Sequence, residues 1–61
     1  MGRPDAAIVA LEELIRLHPD NADAHWNLAG LLRAIGRGAE ADAHRAKALA
    51  IKPELLQQQR R

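Results

Sequence analysis

Pro19 and Pro53 lie 34 residues apart, and each closes a stretch opened by Gly-Arg, at Gly2-Arg3 and at Gly36-Arg37. A period of that length is one helical hairpin, a unit that cannot bury its apolar face alone and must stack on neighbours. The same offset pairs Ala7 with Ala41, Leu14 with Ala48, Ile15 with Leu49 and Leu17 with Ile51, each small or apolar. A sequence that keeps its punctuation and apolar skeleton while varying the rest is keeping a backbone shape. The expected organisation is a single domain spanning 1–61. In it, 2–19 is the second helix of a half unit, 22–53 is one full unit and 54–61 is a cap or tail.

Length makes such a fold difficult. A chain of 61 residues buries only about 60% of the surface its unfolded form exposes. It contains no Cys, so neither a disulfide nor a thiolate-held metal can brace it. The longest apolar run, Ala6 to Leu11, is too short to span a bilayer, and the N-terminus lacks a signal-peptide pattern. These features point to a soluble, cytoplasmic piece without membrane contact. Net charge is +1, which disfavours a nucleic-acid duplex as partner. Residues 1–31 nevertheless carry net −3 and residues 32–61 net +4, so opposite ends of two copies attract weakly, subject to screening by salt.

Three helices follow from the punctuation. The first is expected over 4–17, with Pro4 suited to the first turn, Asp5 at the positive end and His18-Pro19 as the stop. The second is expected over 22–35, capped by Asn21 and stopped by a left-handed Gly36. The third is expected over 39–51, after a tight Gly36-Arg37-Gly38 turn, and it is rich in alanine, which favours helix and close packing. The tail from Glu54 reads as a short helix or a bent continuation, with Leu55 and Leu56 capping the core, and Gln57 to Gln59 and Arg60-Arg61 facing water. Short loops make neighbouring helices antiparallel. The fold class is therefore all-α, an antiparallel helix-turn-helix solenoid fragment of three helices with a short C-terminal addition. At about 100° per residue, Ala24, Leu28, Leu31, Leu32 and Ile35 form the core stripe of the second helix. Trp26 falls nearly opposite that stripe, in line with Asp23, Gly30 and Arg33, and His25 falls at its edge.

Residues 22–53 resemble a tetratricopeptide repeat. They carry His25, Leu28-Ala29 and Leu32 in the first helix, then Gly36, Ala41, Ala48-Leu49 and Pro53, where that family's pattern has bulky, Leu-small and bulky residues, then Ala and a closing Pro. Gly2 to Pro19 resembles the second helix of a preceding repeat, with Ala7, Leu11, Leu14-Ile15 and Pro19 in place. The resemblance implies a right-handed solenoid of antiparallel helix pairs whose first helices line a concave, peptide-binding groove. Two positions depart from the pattern. The family's bulky first-helix residue is His25, with the aromatic moved to Trp26, and Arg45 stands where an aromatic would be covered by a following repeat. Arg45 and Asp42 are expected to cap the array, whereas the aligned Leu11 and Ile8 are apolar and need cover.

Two surfaces are candidates for binding. The line Asp23, Trp26, Asn27, Gly30 and Arg33 is expected to form the concave peptide-binding face, with Gly30 leaving a dent beside the indole. The bland alternative is that Trp26 packs on a neighbouring helix or a second chain. Asn27 resembles one position of a carboxylate clamp, but the other clamp residues would come from adjacent repeats. Ile8, Leu11 and Ile15 are expected to meet a second copy in a symmetric dimer, because arrays usually need three or more units for stability. The competing account is that the chain is the C-terminal end of a longer array, although Met1 is compatible with a natural start. His18, His25 and His44 have no i, i+4 spacing, so no metal site is expected. No Ser, Thr, Tyr or Cys nucleophile is present, so an enzyme is not expected and no cofactor is implied. The partners expected are a protein or peptide and a second copy. A helical-repeat nucleic-acid binder, touching its ligand with Arg60-Arg61, is the remaining alternative. The RNA-reading pentatricopeptide repeats have a similar hairpin, but the period of 34 and the Pro53 closure fit the protein-binding family better.

Overall fold

The computed structural model describes residues 4–59, with side chains from 5 to 57. Four helices follow one another: α1 (Pro4–Leu17), α2 (Ala22–Ala34), α3 (Gly38–Ile51) and α4 (Leu55–Gln59). Among the described residues there is no strand, and the architecture is an all-α helical hairpin, α2 with α3, with α1 packed on α2 before it. Gly2-Arg3 and Arg60-Arg61 lie outside the described residues, as do the side chains of Gln58 and Gln59.

Local chemistry explains each boundary. Asp5 sits in the first turn of α1 and Arg16 in its last, where each complements the helix dipole. The turn to α2 is closed by the Asn21 N–H donating to the His18 carbonyl at 3.0 Å. Asn21 then caps α2, its side-chain oxygen accepting from the Ala24 N–H at 3.1 Å. At the other end, Gly36 adopts φ +85°, the left-handed conformation open to glycine at least steric cost. There the Arg37 N–H donates to the Leu32 carbonyl and the Gly36 N–H to that of Arg33, at 2.8 and 3.1 Å, which is the paired Schellman closure. The helix therefore ends at Ala34, and Ile35 becomes its C-cap with 41% exposure instead of joining the core stripe. α3 begins one residue earlier than its sequence suggests, at Gly38.

The core divides into two clusters along α2. Ile8, Leu28, Ala29, Leu32 and Ala41 form the first, with Leu11, Ile15 and Leu31 packed against it. Ala22, Ala48 and Leu55 form the second, flanked by Trp26 and Leu49. α2 packs most extensively on α3 and less on α1. Ala41 and Ala48 are fully buried, because methyl side chains let the two helix backbones approach closely.

Candidate interaction surfaces and the α2–α3 seam

Being covered from two sides changes what α2 presents. Its buried residues are Ala22, Ala24, His25, Leu28, Ala29 and Leu32, an arc of about 160° at 100° per residue, wider than the single stripe of a helix with one neighbour. His25 thus lies inside at 2% exposure. Trp26 is not opposite the core but half-buried against the second cluster, which Ala22 of α2, Ala48 of α3 and Leu55 of α4 form within its own unit. The tail therefore contributes one core residue, Leu55, while Leu56 is exposed.

Of the five residues expected on the concave face, three are engaged across the seam with α3 and its end. The Arg33 guanidinium meets the Asp42 carboxylate at 3.0 Å, the Arg45 guanidinium lies 5.6 Å over the Trp26 ring, and Lys52 Nζ stands 3.7 Å from the Asp23 carboxylate. Arg33, Asp42 and Asp23 are exposed and Lys52 is half-buried, so each ion pair contributes about 0–1 kcal/mol, and the cation–π contact adds about 0.5–1 kcal/mol. Asn27 and Gly30 are exposed, and a Cβ built on Gly30 would meet nothing within 4 Å.

α1 departs further from expectation. Ile8 is buried and Leu11 and Ile15 are half-buried in the first cluster, so these three residues point into the chain and do not form an open face. The reason lies in the repeat itself: positions aligned with Asp42 and Arg45 face the following hairpin, and for α1 that hairpin is α2 with α3. The face left uncovered among the described residues is a different one. Ala6, Ala7, Ala10 and Leu17 are exposed and Leu14 is half-buried, all within an arc of about 100°. Ala7 and Leu14 align through the 34-residue offset with Ala41 and Ala48, the two residues of α3 that are fully buried. The same offset, read against which α3 residues meet α2, would have found this face in the sequence.

Two histidines 19 positions apart meet at the seam, a pairing that no local motif signals. His25 Nδ1 lies 3.1 Å from His44 Nδ1, and His25 Nε2 donates to the Pro19 carbonyl at 2.9 Å. The two rings stack with centroids 5.3 Å apart. Burial, and after it the neighbouring His25, push His44 below the ordinary histidine range; Lys47 acts the same way, while Glu12 and Glu40 pull in the opposite direction. His18 is exposed and stands apart from the pair. Among the described residues, no group of three or more His, Cys, Asp or Glu could hold a metal ion.

An antiparallel hairpin closed by a glycine turn, with a preceding helix packed on it, defines a helical-repeat protein of the solenoid class. The tetratricopeptide repeat family model matches residues 1–59, and the chain belongs to that family. Repeats of this family are generally non-catalytic modules for protein–protein interaction. No curated protein and no solved structure matches the chain. No helix among the described residues is long and apolar enough to cross a membrane.

Proposed function

We propose that the chain is a non-catalytic, cytoplasmic protein–protein interaction module that self-associates through α1. One observation carries this reading: Ala7 and Leu14 lie uncovered or half-covered, while their counterparts Ala41 and Ala48 are fully buried. A second copy is the simplest occupant, since a two-fold contact between α1 helices closes on itself and covers the same stripe twice. Ala10 and Leu17 are both exposed, so charging them leaves the core of one copy intact. Sedimentation of the wild-type chain at micromolar concentration is expected to give a dimer, and Ala10→Lys with Leu17→Lys a helical monomer. A wild-type chain that stays monomeric across that range refutes the reading.

A second surface is favoured by the open space at Gly30 beside the half-buried indole. There a peptide segment of a partner lies along Asn27 and Gly30 and contacts the edge of Trp26. Titration with such a peptide is expected to change Trp26 fluorescence saturably in the wild type and to have no effect on Gly30→Lys, which fills the space. Equal binding by the two chains removes this surface from consideration.

A further inference from the structure

His25 is the one buried polar side chain among the described residues, and its hydrogen bonds dictate where its protons sit. A peptide carbonyl only accepts, so the contact to Pro19 requires the proton on His25 Nε2. In the neutral ring, Nδ1 is then a lone pair. Its partner at 3.1 Å, His44 Nδ1, must supply the N–H. The donors therefore run in one direction, from His44 to His25 to Pro19, and tie α3 to α2 and α2 to the turn after α1.

This arrangement limits how many protons the pair can hold. A first extra proton can enter at His44 Nε2, since the His44 Nδ1–H still donates to His25. A second would have to enter at His25 Nδ1, where it would face the N–H of His44 head-on. The two rings, stacked 5.3 Å apart, would then also carry like charges. In the unfolded chain neither constraint exists, and an ordinary imidazole ionises near about 6.5. We propose that the His25–His44 pair is a proton-operated lock, closing α3 onto α2 and the α1–α2 turn at neutral pH and opening when both imidazoles ionise.

The surrounding charges modulate the lock. Glu12 on α1 and Glu40 on α3 favour a charged His44, Lys47 on α3 opposes it, and the turn presents the uncharged Pro19 carbonyl to His25. Burial, the largest influence, opposes charge and delays even the first proton. The sign is then settled. Well below about pH 6.5 the unfolded chain approaches two bound protons at this pair and the folded chain holds at most one, so stability falls as pH falls. Each proton of difference lowers the folding constant about tenfold per pH unit.

His44→Gln supplies the test, because an amide can donate to neutral His25 Nδ1 or turn its oxygen to accept from a charged one. Denaturant unfolding of both chains between pH 8 and pH 5, at equal concentration, cancels the contribution of the shared carboxylates. The wild-type folding constant is expected to fall by an extra factor of about ten per pH unit below about 6.5, whereas parallel curves overturn the lock. Ring nitrogen NMR of the wild-type chain decides the matter independently should His44→Gln not fold. At pH 8 it should find the proton on Nε2 of His25 and on Nδ1 of His44. On acidification the pair should take up its second proton only as the fold is lost. Two rings that both ionise near 6.5 in a chain still folded at pH 5 also overturn it.

Discussion

Leu28→Ala is expected to lower the melting temperature by roughly 10–30 °C. Leu28 is fully buried at the centre of the cluster formed with Ile8, Ala29, Leu32 and Ala41, so one truncation weakens the contacts of α2 with both α1 and α3. Removing a buried leucine side chain costs about 2–5 kcal/mol, the larger values applying where the surroundings cannot collapse. A chain of 61 residues, at about 0.05–0.15 kcal/mol per residue, has only about 3–9 kcal/mol to lose. In a domain this small each kcal/mol shifts the midpoint by about 4–8 °C. Circular dichroism measures the outcome directly. A midpoint within 5 °C of the wild type would show that the first cluster does not hold the helices together.

The second large effect belongs to the tail. Leu55→Ala is expected to cost about 2–3 kcal/mol and to shift Trp26 emission to longer wavelength. Leu55 is 1% exposed and packs with Ala22 and Ala48 in the cluster that Trp26 flanks. Shortening it opens the indole to water. Its neighbour Leu56 is 45% exposed, and Leu56→Ala should change stability by less than about 0.5 kcal/mol with the emission unmoved. If the two variants behave alike, α4 does not cover the second cluster.

Much of the fold was legible because its signals act over one turn of helix. The stop before Pro19, the Asn21 cap and the left-handed Gly36 each depend on groups within a few positions, and each lies where the residue types require. The candidate surfaces were less legible. Ile8, Leu11 and Ile15 are expected to meet a second copy because they are apolar and need cover on a helix without a hairpin partner. The type of a residue shows that it needs cover, however, and not which helix supplies it. Trp26 was expected on a free face because one stripe was counted on α2, and a helix lying between two neighbours buries a wider arc. Ile35 fits the period of that stripe but lies past the last helical residue, where the period no longer applies.

The sequence by itself determined the helices, their order and the family, since capping, proline and glycine stops and a 34-residue period are properties of the chain read in one dimension. Only the tertiary structure decided which faces are covered. It turned Ile8 inward, left Ala7 exposed and Leu14 half-covered, packed Trp26 beneath Arg45, and brought His25 of α2 within 3.1 Å of His44 of α3. The physical reason is that burial and hydrogen bonding between helices depend on how closely α2 approaches α3, here through the methyl groups of Ala41 and Ala48. That approach is a relation between helices, which the periodicity of either one alone does not contain.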